Sequence, residues 1–574
     1  MKLNNILCSS FAVLALVSCN DKMDYNEYNI YDKDYVSKTF NNVGGFMTDI
    51  YNTIDYDYGS YGSAIMGSTT DESEFSVSGT SIDDFFDGAW SATNAKSSVW
   101  SSMYTGINVC NQVMDKFVGL TFSDYEMNSD YDYQMARYKN YKWEARFWRA
   151  YFYFNLAKQY GGVPLITKVQ STDVTNKAPR ATSDETFKFI IDECNLVQDS
   201  IVKNPADFNL PSEIDNGRAS RITVLALKAR AALYWASPLF NPQGDKERYH
   251  AAALYTKQLI DECKARGMDL TANYADLWSA NNWKDTNITK EIIFGRRIYG
   301  SGSNGASNTF ESRNYPAGIE GGNGGNCPTQ NLVDAYDMKA TGLGIGETGS
   351  GYVSSNPYAG RDPRLDATVA KNGDVWPTYQ KVKLETFYGG VNGQPLSGGT
   401  LTGYYVKKLC HGAINLTAKS KYTVDNHTWV TFRLGEFYLN YAEAVFKYLG
   451  SADATSAEFP MSAREAASKT RVRAGMPAFP IGMGNDAFWI KYTKERFVEL
   501  AFEGHRFWDV RRWKEADKYF KEIKEMKLAK NADGSISYTP NTVTRQWDDK
   551  MYLFPIPQTE IQKNKNLAQN PGWK

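Results

Sequence analysis

Along most of the chain apolar residues return every three or four positions, the spacing that turns one face of an α-helix toward a core. This rhythm predicts helices in pairs, at about 35 to 56 with 98 to 117, 136 to 160 with 184 to 202, and 220 to 237 with 247 to 265. A last set follows at about 428 to 449, 461 to 474 and 486 to 503. Helical hairpins of this length cover one another's apolar faces when stacked. The pattern therefore predicts a mainly α fold, a tetratricopeptide-like scaffold, although the strict repeat signature is absent. Between about 296 and 427 the rhythm stops. Gly, Ser, Asn and Tyr dominate there, with short β-like runs such as Gly403-Tyr404-Tyr405-Val406, so a long loop-rich insertion containing short strands interrupts the helices.

The beginning of the chain has a different pattern. Lys2 precedes an apolar stretch, Ile6 to Val17, which is too short to span a bilayer and closes on Ser18. Leu16-Val17-Ser18-Cys19 has the form of a lipobox, in which the cysteine thiol takes a diacylglycerol before the preceding peptide is cut. The expected organisation is thus a lipoprotein signal peptide at 1–18, acylation at Cys19 and a polar spacer at 19–34. An N-terminal helical region at 35–295, the insertion at 296–427 and a C-terminal helical region at 428–574 follow. Several acyl chains on one residue make such an attachment effectively stable. Beyond residue 19 no apolar run approaches the roughly 18 residues a transmembrane helix needs.

Charge and cysteines remove several functions. With 64 basic and 65 acidic side chains and no polybasic tract, the chain lacks the footprint of nucleic-acid binding. Cys110, Cys194, Cys263, Cys327 and Cys410 are odd in number and scattered, which suggests neither a disulfide framework nor a zinc site. His250, His411, His427 and His505 show no metal-ligand spacing, and no G-x-S-x-G elbow is present. Two G-x-G-x-x-G matches, Gly300-Gly302-Gly305 and Gly344-Gly346-Gly349, fall in glycine-rich loops rather than between a strand and a helix. The residues thus suggest no metal and no cofactor. Aromatic residues make up 14% of the chain, including 38 Tyr and 14 Trp, and flat rings of this kind stack on the C–H faces of sugars.

Within the last helices, Arg433, Glu436, Asn440 and Glu443 share one stripe, and Trp429, Phe432, Leu439 and Phe446 share another. Glu495, Glu499 and Glu503 recur every fourth residue close to Arg496, Arg506, Arg511 and Arg512, so their carboxylates have cationic partners at hand. A structural ion-pair network fits this arrangement better than a catalytic pair, because catalysis needs one carboxyl held apart and neutral.

Several segments together resemble the SusD/RagB family. The longest is Glu495-Arg496-Phe497-Val498-Glu499-Leu500-Ala501-Phe502-Glu503-Gly504-His505-Arg506-Phe507-Trp508-Asp509-Val510-Arg511-Arg512-Trp513, followed by Leu553-Phe554-Pro555-Ile556-Pro557 and Asn570-Pro571-Gly572-Trp573. Similar in kind are Phe437-Tyr438-Leu439-Asn440-Tyr441-Ala442-Glu443-Ala444, Arg361-Asp362-Pro363-Arg364-Leu365, and Arg149-Ala150-Tyr151-Phe152-Tyr153-Phe154-Asn155-Leu156 leading to Gly161-Gly162-Val163-Pro164-Leu165. The resemblance implies a non-catalytic lipoprotein on the surface of the outer membrane. It would capture an oligosaccharide and act as a hinged lid on a SusC-type TonB-dependent barrel transporter.

Ligand residues are located by type, as aromatic platforms flanked by polar groups on loops over a rigid scaffold. The loop at about 57 to 97 offers Asp71, Glu72, Trp90 and Asn94, and the insertion offers Tyr299, Asn326, Cys327, Trp376 and Tyr405. For Trp90, packing against Phe85 or Phe86 is the competing reading. Two other functions remain open: a helical-repeat adaptor or uptake subunit that binds protein or peptide, and a surface glycoside hydrolase. A hydrolase would consume an oligosaccharide, an adaptor would ignore it, and the resemblance implies binding without turnover.

Overall fold

The computed structural model describes residues 33–573 apart from 56–57, 59–60, 78, 209–216, 280–281, 283–284, 299–308 and 417–424. The signal peptide and nearly all of the expected spacer lie outside the described residues. The main helices are α1 (Phe40–Asn52), α2 (Trp100–Lys116), α3 (Tyr131–Tyr160), α4 (Ser183–Val197) and α5 (Arg221–Ala236). They continue with α6 (Lys246–Ala265), α7 (Leu434–Leu449), α8 (Ala463–Arg473), α9 (Asn485–Glu499) and α10 (Arg506–Arg512). The first six, with α8 and α9, lie where the periodicity puts helices.

Local chemistry sets several of the boundaries. Thr182 with Glu185 and Ser462 with Glu465 form reciprocal capping boxes at the starts of α4 and α8, satisfying amides that have no helical partner. Gly450 ends α7 in the left-handed conformation, which is open to glycine at no steric cost.

Each of the first six helices packs against the next in the chain, and the series continues across the insertion because α6 lies on α7 and α7 on α8. The mainly helical, tetratricopeptide-like stack shares one continuous core, from Val36 through Trp148, Leu227 and Phe437 to Trp573. α3 runs through its centre, with Trp148, Phe152 and Leu156 fully buried.

Among the described residues the strands form four antiparallel pairs. They are β1 (Ser73–Phe75) with β3 (Asn326–Pro328), β2 (Ile292–Ile298) with β6 (His427–Arg433), β4 (Val369–Ala370) with β5 (Tyr405–Val406), and β7 (Glu522–Lys530) with β8 (Ile536–Thr544). The β2–β6 pair corrects the helix expected from 428. His-Thr-Trp-Val-Thr-Phe-Arg is a strand, and Trp429 and Phe432 stand on it rather than on a helix stripe. Its β-branched and aromatic content outweighs a helical spacing too short to be decisive.

This pair also explains how a long insertion leaves the stack intact. Ile298 lies opposite His427 and Ile292 opposite Arg433, so the insertion leaves and re-enters the scaffold at one place. The insertion builds a second hydrophobic core, which includes Tyr315, Leu332, Tyr336, Leu365, Trp376, Tyr404 and Tyr405. Tyr274 and Trp278, which follow α6, join this core, as do Phe497 and Phe502 from α9 and just beyond it.

Candidate functional site

Where the second core meets the helices, Glu495, Glu499 and Glu503 are buried among guanidinium groups. Arg364, from the insertion, donates to both oxygens of Glu495 at 2.6 and 2.9 Å and to Glu499 at 2.8 Å. Arg433, the last residue of β6, donates to Glu499 and Glu503 at 2.7 Å each and to Glu291 at 2.9 Å. Arg473 also donates to Glu291 and Glu499. The arginines nearest in sequence go elsewhere. Arg496 donates to Asp509 at 2.6 Å, Arg512 to Glu443 and Asp509, and Arg506 to Asp71. Arg511 lies over the Phe507 ring and donates to the Met551 carbonyl.

Burial by itself raises a carboxyl, but Arg473, Arg433 and Arg364 hold Glu499 well below its usual range. Glu443 is likewise buried, and Arg512 and Arg496 bring it down to about 2. Groups held ionised in this way bind the chain together. They are poorly placed to act as the neutral acid that glycoside cleavage needs.

A cleft of about 790 Å³ opens beside this network, within the size range of small-ligand sites. Tyr274, Trp278, Asp366, Trp376, Lys407, Lys408, His411, Asp425 and Arg473 line it. Tyr274 and Trp278 come from the turn after α6, Asp366 from a short helix at Arg364–Thr368, and Lys407 and Lys408 directly follow β5. The cleft therefore lies between the scaffold and the insertion.

Lys408 connects the cleft to the ion network. Its ammonium donates to Glu503 at 2.8 Å and to the Tyr274 hydroxyl at 2.7 Å, and it lies 4.2 Å from the Trp278 ring centroid. Burial pushes this ammonium down to about 8 against the pull of Glu503. Lys407 lies 5.6 Å from the Trp376 ring, and burial lowers its pKa as well. Gly412 allows the chain to pass against Trp376, since a Cβ at that position would stand 2.4 Å from a ring carbon. A second groove, lined by Tyr58, Lys158, Trp429 and Trp508, encloses only about 120 Å³, below the usual range for a ligand site.

The SusD family pattern matches residues 290–573, and a SusD-like pattern described as starch-binding and associating with the outer membrane matches residues 24–230. The chain belongs to the SusD family. A SusD-like protein of Formosa agariphila is 23% identical over 501 residues, which cover 83% of this chain and 80% of that relative. A SusD-like protein of Bacteroides fragilis superposes with a TM-score of 0.74 at 25% identity, covering 94% of this chain and 98% of its own. A SusD-like carbohydrate-binding protein, also of Bacteroides fragilis, superposes with a TM-score of 0.71 at 20% identity, covering 93% of this chain and all of its own, 100%. The likeness to this last protein is one of fold.

Of the ligand residues expected from the sequence, Trp376 lines the cleft of this SusD-family chain. Trp90 does not. Its ring packs 4.9 Å from Phe85, 4.7 Å from Phe554 and 5.0 Å from Trp573, so the family's own C-terminal segments cover it and leave no face for a sugar. Asn94 donates to Asp84 and to the Ala89 carbonyl within its own loop. Asp71 is consumed by Arg506, and Glu72 accepts the Phe502 amide at 2.9 Å in full burial.

Asn326 is also internal. It accepts from the Ile65 amide and the Ser68 hydroxyl and donates to Asn314. Cys327 is fully buried beside it, and burial pushes its thiol up to about 11. The Tyr405 hydroxyl donates to the Asn392 carbonyl inside the second core. The expected sites at Cys19 and Tyr299 lie outside the described residues. Sequence reasoning missed Tyr274, Trp278, Lys407, Lys408, His411 and Asp425. Tyr274 and Trp278 precede the insertion, and only the fold brings the others to them.

Proposed function

We propose that this SusD-family chain is a non-catalytic oligosaccharide-binding subunit. In this reading Cys19 carries its lipid anchor at the outer membrane, and the folded body works as a lid on a SusC-type TonB-dependent transporter. The cleft between scaffold and insertion carries the proposal. It combines aromatic walls from Tyr274, Trp278 and Trp376 with the cation of Lys407 and the carboxylates of Asp366 and Asp425. Rings supply apolar contact to sugar faces, and ionic groups on the rim bond hydroxyls.

The fold relative named for carbohydrate binding supports the ligand class, and the ion-paired state of the central carboxylates supports binding without cleavage. Calorimetric titration of the soluble body with a panel of oligosaccharides, followed by chromatography of the recovered sugar, tests the reading. Saturable binding with the sugar returned intact is the expected result. Shortened products would favour a hydrolase, and binding confined to peptides would favour the adaptor.

A further inference from the structure

Three side chains that no sequence spacing connects meet beneath the wall of the cleft. Glu311 lies on a short helix at Thr309–Asn314, His411 on the loop after β5, and His427 at the first position of β6. One donor atom from each lies within 4.8 Å of the others, and all three residues are buried. The Glu311 carboxylate accepts the His411 amide at 2.9 Å and faces Nε2 of His427 at 3.1 Å. The two imidazoles stack with centroids 4.1 Å apart.

Two further observations distinguish this cluster from ordinary buried polarity. Among the described residues Nδ1 of His411 is buried without a hydrogen-bond partner, in a side chain only 6% exposed, and the nearest charged oxygen to it is that of Asp425 at 3.6 Å. Glu311 is fully buried, yet among the described residues no Lys or Arg pairs with it, whereas Glu443, Glu495, Glu499 and Glu503 each have one. Among the described residues the cluster thus holds a buried carboxyl group with no Lys or Arg partner and an imidazole nitrogen with no hydrogen-bond partner.

We propose that Glu311, His411 and His427 form a binding site for a divalent transition-metal ion of the zinc type. Two imidazoles and a carboxylate are the donor set of three-ligand zinc sites, and imidazole nitrogen selects zinc, copper or nickel over calcium and magnesium. Bonds of about 2.0 to 2.1 Å place tetrahedral ligands roughly 3.3 Å apart. The 3.1 Å separation of His427 and Glu311 is close to that edge, and metal binding would require the His411 ring to rotate out of the imidazole stack, since its donor now lies within 4.8 Å of the others. His411 and Asp425 both line the cleft, so the ion would sit against its wall. The site stands on its own residues whether or not the cleft takes a sugar.

The test uses the full soluble body, stripped with a chelator and titrated with Co²⁺. The expected result is one equivalent bound with the visible bands of low-coordinate Co²⁺, displaced by Zn²⁺, and an affinity at least tenfold weaker in His411→Gln and in Glu311→Gln. Electron paramagnetic resonance of the Cu²⁺-loaded wild type needs no variant, and it should show coupling to two imidazole nitrogens on one ion. Failure of the wild type to bind a stoichiometric ion, coupling to fewer than two imidazoles, or binding unchanged in both folded variants would overturn the proposal.

Discussion

Arg506 holds Asp71 through two parallel contacts, Nε to Oδ1 at 2.8 Å and Nη2 to Oδ2 at 2.6 Å, between residues 435 positions apart in the chain. Both side chains are buried, and Arg506 also lies over the rings of Phe497 and Tyr519. The pair fastens the loop before β1 to the segment after α9, which places the carboxylate inside the body rather than in a binding site.

Asp71→Ala is therefore expected to leave a buried guanidinium unpaired and to lower stability by about 3 kcal/mol, while the folded fraction keeps its ligand affinity. Urea denaturation measures the first effect and calorimetry the second. A normal midpoint combined with weakened binding would return Asp71 to the ligand site.

Trp90→Ala is expected to behave in the same way for a different reason. Removing a ring enclosed by Phe85, Phe554 and Trp573 opens a cavity in the main core, at a cost of about 3 to 5 kcal/mol. Trp90→Phe should recover much of that loss. Thermal melts of the two variants decide between core packing and stacking on a sugar, since a residue that only stacks on ligand would leave both melts unchanged.

These two residues show where sequence reading stops. Helices such as α5 and α6 were legible because their apolar spacing runs over many turns, which is a local property of the chain. The pairing of β2 with β6 was not, since the strand signal in 427–433 is brief and its partner lies more than a hundred residues away. Nor were the β7–β8 hairpin and the partners of Glu499, which come from the insertion, β6 and α8. Aromatic and acidic residues on loops look alike whether they face ligand or core, so Trp376 and Trp90 could not be separated until Phe554 and Trp573 were placed. Lys408 and His411 had no local signal at all.

Glu72 makes stability depend on pH. Burial raises its carboxyl to about 7, against the opposing Phe502 amide, Lys408 and Arg506. Its folded value thus exceeds the unfolded value of about 4.3. The contribution is complete below the unfolded value and is lost as pH rises through 7, because the unfolded chain releases its proton first. Glu72→Gln preserves the acceptor for the Phe502 amide and removes the titration. Relative to wild type it should gain up to about 3 kcal/mol between pH 5 and pH 8. Chemical melts at the two pH values check this, and a constant difference would show that Glu72 titrates normally.

Membrane attachment depends on Cys19 in the proposed reading. Cys19→Ala should leave the body folded and move it from the membrane fraction to the soluble one. Retention in the membrane fraction, in cells that process other lipoproteins, would remove the acyl anchor from the account.

The cleft itself is tested most sharply through Gly412 and Trp376. A methyl at position 412 would stand 2.4 Å from a Trp376 ring carbon, so Gly412→Ala must displace the indole or the loop that carries His411. Trp376 is 4% exposed, which means that it supports the wall from within and that its replacement will cost stability as well as affinity. Trp376→Phe limits that cost. If oligosaccharide binds in this cleft, Gly412→Ala and Trp376→Phe should each weaken it by about 1 to 2 kcal/mol, the scale of losing part of one large aromatic contact. Because both act on the same contact, the double variant should lose much less than the sum of the two. Calorimetric titration of all four proteins with one oligosaccharide gives the interaction energy directly. Strict additivity, or unchanged affinity in the folded single variants, would place the sugar elsewhere on the protein.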